Sequence, residues 1–140
     1  MAYLWVAVGS ALGGVARFGL TRLTLNLSNN FPWGTIAINV LGCFIMGFFG
    51  TLTLSSGRFA TSENVRLFVL VGLCGGLTTF SSFSLHTFDM ARTGDWLRAA
   101  ANVTVSVGLC LFSVALGHMF AGQAVGHPPV IETSVGKVTG

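Results

Sequence analysis

Apolar residues fall in four long runs separated by short polar stretches, and each run reads as a helix able to cross a membrane. Crossing the hydrocarbon core takes about 20 apolar residues. The runs therefore predict spans at about 3–25, 34–54, 66–90 and 98–120. Asn29, Asn30 and Pro32 end the first run for backbone reasons, and Ser55, Ser56, Gly57 and Arg58 open the next loop. Thr61 or Ser62 can cap the third span, while Arg92, Thr93, Gly94 and Asp95 make the turn into the fourth. Tyr3, Trp5 and Trp96 stand where interfacial anchors are expected. The fold class is thus all-α integral membrane, with a four-helix domain over 1–121 and a disordered Gly/Pro/polar tail expected over 122–140.

Composition sharpens the choice of solvent. With 52% hydrophobic and 8% charged residues and a mean hydropathy of +0.77, the chain lacks the polar surface a water-soluble domain needs. Lipid bilayer is the expected surrounding, and 140 residues leave no room for a second domain. The first residues carry no positive region ahead of the apolar run, so a removable signal peptide is not expected. Seven Arg and Lys stand singly at segment ends, with no basic run of the kind that binds nucleic acid.

Short connections make neighbouring spans antiparallel, so Arg58, Arg66 and Lys137 share one side and Arg22, Arg92 and Arg98 the other, three against three. The positive-inside rule then favours neither orientation. Such a balance predicts insertion both ways, with opposite copies pairing as an antiparallel, dual-topology homodimer; the alternative is a near tie by chance in a chain with few charges.

Polar residues inside the spans are the candidate chemistry. Arg17 interrupts the first span after GGVA, where it either holds positive potential in an aqueous vestibule or snorkels from a helix end. The third span holds GLCGGLTTFSSFS (Gly72 to Ser84), with paired glycines and a dense hydroxyl cluster at mid-membrane depth. Non-helical backbone is tolerated there only where it lines a cavity or is buried in protein. This pattern predicts a broken third helix; a tight small-residue packing face is the competing reading. Phe80 and Phe83 share a helical face flanked by Ser81, Ser82 and Ser84; either their positive ring edges hold a small anion or they are two core phenylalanines among twelve. Asn102, Ser106 and Cys110 form a weakly polar stripe on the fourth span that Asn39 of the second could face, either as interhelical hydrogen bonds or as a path. His86 and Asp89 lie one turn apart toward the end of the third span and receive no role. Cys43, Cys74 and Cys110 show no metal-ligand spacing and read as free thiols. No Walker loop, HExxH motif, Ser/His/Asp set or redox pair is present, so nothing argues for an enzyme.

At GGVAR (Gly13 to Arg17), GTIAIN (Gly34 to Asn39) and above all GLCGGLTTFSSF (Gly72 to Phe83), the sequence resembles the Fluc (CrcB) fluoride channel family over roughly residues 3–120. The resemblance implies a fluoride-selective channel that exports fluoride passively from bacteria across the inner (plasma) membrane and relieves fluoride toxicity. It implies an antiparallel dimer with two pores and a central structural sodium ion held by the backbone carbonyls of Gly75 and Thr78 from both subunits. It assigns Phe80 and Phe83 to an aromatic box, with Ser81 and Ser82 beside them, Asn39 to the pore wall, Ser106 and Cys110 to a polar track, and Arg17 to the vestibule. Asn102 and Cys110 depart from the tyrosine or threonine and two serines common along that track.

Two rival functions remain in view. A small multidrug-type cation exporter would need a membrane carboxylate, and the spans offer none before Asp89, near a helix end. A structural membrane assembly protein would explain the small residues but not the hydroxyl and phenylalanine cluster.

Overall fold

The computed structural model describes residues 1–53 and 61–125. Four helical segments long and apolar enough to cross a membrane are present, and the described residues contain no strand. Helix α1 spans Ala2–Leu23 and is followed by a 3₁₀ turn, Leu25–Leu27. Ser28 Oγ then accepts the Gly34 N–H at 3.0 Å, tying that turn to the start of α2, Trp33–Leu52.

The third span is broken, as the glycine and hydroxyl pattern predicts. Its first part, α3, is helical over 63–77, and its second, α4, is Phe80–Arg92. Between them Thr78 and Thr79 are extended, with φ/ψ of −81/157° and −147/109°. Gly94, at φ +85°, then turns the chain where a side chain would be strained. Helix α5 runs Trp96–Val125 and so continues past residue 121, where the tail was expected to begin. Arg58, Lys137 and the rest of that tail lie outside the described residues.

One feature of α3 has no counterpart in the sequence reading. Leu67–Cys74 winds as a π-helix, a wider turn with i→i+5 hydrogen bonds that is seldom longer than a single turn. It leads directly into Gly75–Leu77 and the break.

Packing follows membrane logic, with small residues between helices and large ones outside. A Cβ on Gly9 or Gly13 would fall on the carbonyls of Phe68 or Leu73, and one on Gly76 on the Ser10 carbonyl, so α1 and α3 meet backbone to backbone. Helices α2 and α5 meet in the same way, Gly47 against the Val114 carbonyl and Gly117 against that of Phe44. The Ser113 hydroxyl adds a 2.8 Å bond to the Val40 carbonyl across this seam. Large apolar side chains such as Val15, Phe18, Leu111 and Phe112 point outward, as contact with lipid requires.

The ends are polar. Arg66 donates to the Thr53 carbonyl and to Thr53 Oγ1, joining the start of α3 to the end of α2, and Thr51 Oγ1 lies 2.7 Å from His118 Nδ1. At the opposite end Arg92 pairs with Asp89 at 3.9 Å and Arg98 with Asp95 at 3.3 Å, all on exposed side chains. Such exposed pairs contribute little stability.

Candidate functional site

The break in the third span is held open by specific bonds. Thr78 N–H and Thr78 Oγ1 both donate to the Cys74 carbonyl, at 3.0 and 2.9 Å, which closes the last turn of α3. Thr79 caps α4, its hydroxyl oxygen accepting the Ser82 N–H at 3.1 Å. The Thr79 peptide groups, left without helical partners, are taken by Asn39 on α2: Thr79 N–H donates to Asn39 Oδ1 at 2.8 Å, and Asn39 Nδ2 donates to the Thr79 carbonyl at 3.2 Å. One side-chain amide thus satisfies both peptide groups of Thr79 at the break.

Four carbonyls at the end of α3, those of Gly75, Gly76, Leu77 and Thr78, are released from helical bonding. In a continuous helix Gly75 C=O would accept from Thr79 N–H and Thr78 C=O from Ser82 N–H, but those amides go to Asn39 and to Thr79 Oγ1. Gly75 is exposed and faces open space within the protomer. The resemblance selects two of the four, those of Gly75 and Thr78, for sodium, and neutral carbonyls freed from helical bonding suit a hard monovalent cation.

Beside the break lies an open-sided cavity of about 330 Å³ between α2, α4 and α5. Asn39, Phe80, Phe83, Ser106 and Cys110 all line it, so five of the seven pore residues expected from the sequence converge on one apolar space. The rings of Phe80 and Phe83 are 5.3 Å apart and inclined by 47°. Phe80 is 78% exposed, so this wall stands open on the outer side of the protomer. The N-terminus of α4 opens beside the cavity, and its unpaired amides and dipole favour negative charge there.

The other expected residues lie elsewhere. Ser81 and Ser82 do not line the cavity; they gather about Thr79, whose Oγ1 is 3.1 Å from Ser81 Oγ and donates to Ser82 Oγ at 3.0 Å. Arg17 is half-buried on α1, away from the cavity lining. His86 also lies outside the lining, its Nδ1 buried without a hydrogen-bond partner among the described residues.

Behind the cavity wall runs a buried polar chain. Ser106 Oγ donates to Asn102 Oδ1 at 3.2 Å, Asn102 Nδ2 donates to Thr87 Oγ1 at 2.8 Å, and Thr87 Oγ1 donates to the Phe83 carbonyl at 2.8 Å. Asn102 is 1% exposed, so it acts as an interhelical bridge that fixes the Ser106 hydroxyl and the backbone of α4. The helical stripe pointed to Asn102 but not to Thr87, its partner. Spacing missed Gly42, Cys43, Met46, Thr79, Val107 and Leu111 among the lining residues; Cys43 and Met46 continue the face of α2 that carries Asn39.

The profile of the family described as CrcB-like protein, Camphor Resistance (CrcB), matches residues 4–118. The chain is 60% identical over 118 residues to a protein of Methylobacterium radiotolerans named fluoride-specific ion channel FluC, covering 84% of this chain and 82% of that one. It is 54% identical over 122 residues to the protein of the same name from Methylocella silvestris, covering 86% and 93%. A third so named, from Gluconobacter oxydans, is 57% identical over 119 residues, covering 84% and 83%.

Proposed function

Because this chain belongs to the CrcB family, we propose that it is a fluoride-specific ion channel whose path runs through the cavity beside the broken third span. The protein is a multi-pass membrane protein and not an enzyme. The observation that carries the reading of the path is the convergence of Asn39, Phe80, Phe83 and Ser106 on one apolar space at a helix break. A small anion leaving water needs donors and positive electrostatic edges that are fixed in advance. Ring edges of Phe80 and Phe83 and the start of α4 supply these, with no charged side chain among the described residues of the cavity lining to trap the ion. Transport is downhill and exports fluoride across the inner membrane, relieving its toxicity. A cation exporter lacks support, since Asp89 is exposed and paired with Arg92 outside the cavity.

The working unit is an antiparallel homodimer. The open outer wall at Phe80 supports this, because one protomer leaves the path unenclosed towards lipid. A sodium ion at the dimer centre, held by the Gly75 and Thr78 carbonyls of both subunits, supplies a fixed positive charge that favours anions nearby. Protein prepared with a large organic cation in place of sodium is expected to lose dimer stability and fluoride flux together. Full flux in that preparation would remove sodium from the reading.

The test of the function is efflux from liposomes containing the purified protein, followed with a fluoride electrode. Fluoride is expected to leave and chloride to stay. Equal loss of both ions, or of neither, would overturn it.

A further inference from the structure

Cys43 and Cys110 are far apart in sequence but share one cavity wall. Both are half-buried free thiols, one on α2 and one on α5, and both line the space beside Phe80 and Phe83. Cys43 lies three residues after Val40 and Cys110 three before Ser113, so both thiols stand about one turn from the Ser113–Val40 bond on the same wall. Cys74, in contrast, is fully buried at 0% exposure and does not reach the lining.

The helix pair that carries the two thiols is rigid. Gly47 and Gly117 bring the backbones of α2 and α5 into direct contact, and the Ser113 hydroxyl is bonded to the Val40 carbonyl at 2.8 Å. The thiols are therefore held together before any ligand arrives, which removes much of the ordering cost of binding. Met46, one turn along α2 from Cys43, adds a thioether to the same wall. Among the described residues no carboxylate or imidazole lines the cavity.

We propose that Cys43 and Cys110 form a soft-metal site in the cavity wall, taking a two-coordinate divalent cation of the mercuric type with the Met46 thioether beside it. Sulfur donors without oxygen or imidazole select soft ions, and the thiolate is the ligating form. Mercuric chloride and two thiols give a neutral dithiolate, Hg(SR)₂, with two protons and two chlorides released to water and no change of oxidation state. Charge selects the divalent ion. A monovalent soft cation on two thiolates would leave a net negative charge in an apolar cavity, which is costly. The bound ion bridges α2 and α5 across the path and narrows it, a consequence that rests on the fluoride path proposed above.

The test uses the full-length protein in liposomes and mercuric chloride as the probe, with two readouts. In the first, mass spectrometry after alkylation counts protected thiols. One mercury per chain is expected to protect Cys43 and Cys110 together and to resist removal by a monothiol. Cys43→Ser and Cys110→Ser are each expected to release mercury at roughly tenfold lower monothiol, as a lone thiolate holds it without chelation, whereas Cys74→Ser retains paired protection. Separate capping of each thiol, or loss of protection in Cys74→Ser, would overturn the site. In the second, fluoride efflux is expected to fall roughly tenfold at one mercury per chain and to return with a dithiol. Paired protection with unchanged efflux would overturn the bridging of the path while leaving the metal site standing. Protein that conducts no fluoride before mercury is added would count against the channel reading alone, since the thiol count does not depend on it.

Discussion

Replacing Asn39 by leucine removes both partners of the Thr79 peptide groups in one step. A buried amide or carbonyl left without a partner costs about 1–3 kcal/mol, so Asn39→Leu is expected to lower the melting temperature and to reduce fluoride efflux, both measurable on the purified protein. Unchanged stability would mean that the bracket is replaceable by water. Phe83→Ile keeps apolar volume and discards the positive ring edge. Its efflux is expected to fall roughly tenfold, equivalent to about 1.4 kcal/mol in the barrier, with the oligomeric state unchanged on size-exclusion chromatography; wild-type efflux would return Phe83 to ordinary packing. At this scale the sequence was informative because polar residues are conspicuous inside apolar spans: Asn39 and Ser106 both reach the cavity, as do Phe80 and Phe83, which only the family resemblance singles out among twelve phenylalanines. Ser81 and Ser82 do not, because short hydroxyl side chains at a helix start bond to the local cap first. The Cys43–Cys110 pair and the Asn102–Thr87 bond were invisible for another reason. Each brings together residues on different helices, and spacing within one segment carries no information about the facing segment.

The four spans themselves follow from length and hydropathy, since every run long enough to cross does so as helix. The break was legible from Gly75-Gly76 and the Thr-Thr pair, whose β-branched side chains and capping hydroxyl suit extended backbone followed by a helix start. The π-helical run Leu67–Cys74 was not, because widening a turn by one residue leaves the apolar composition unchanged. The end of α5 was placed early for the opposite reason: Gly122 and Gln123 look like linker residues, yet Ala121 and Gly122 are buried and keep the helix going to Val125. Glycines offer a direct test of the α1 and α3 seam. Gly13→Ala would drive a methyl group into the Leu73 carbonyl, whereas Gly19→Ala on the same helix meets open space. Gly13→Ala is therefore expected to lower the yield of folded protein and its melting temperature by several degrees, while Gly19→Ala is neutral or slightly stabilising through its better helix propensity of about 1 kcal/mol. Equal behaviour of the two variants would show that the seam can relax.

At the scale of the whole molecule, the open flank at Phe80 and the weak orientation signal point to the same assembly. Among the described residues Arg92 and Arg98 stand at one end, each beside an acidic partner, and Arg66 at the other, bonded to Thr53. An orientation signal this weak can be overridden by a few added charges. Two variants can therefore be biased in opposite directions, one carrying added lysines beside Arg22 and the other carrying them beside Arg66. Each alone would insert one way only and supply no antiparallel partner, leaving the Phe80 side of its path open to lipid. Each is then expected to give little fluoride efflux when expressed by itself. Expressed together, they restore the missing orientation and are expected to recover efflux to a large fraction of the unbiased protein, with cross-linking that finds only mixed pairs. Full efflux from either biased variant alone, after protease protection has verified its single orientation, would mean that parallel copies or a lone protomer can enclose the path, and the antiparallel assembly would have to be abandoned.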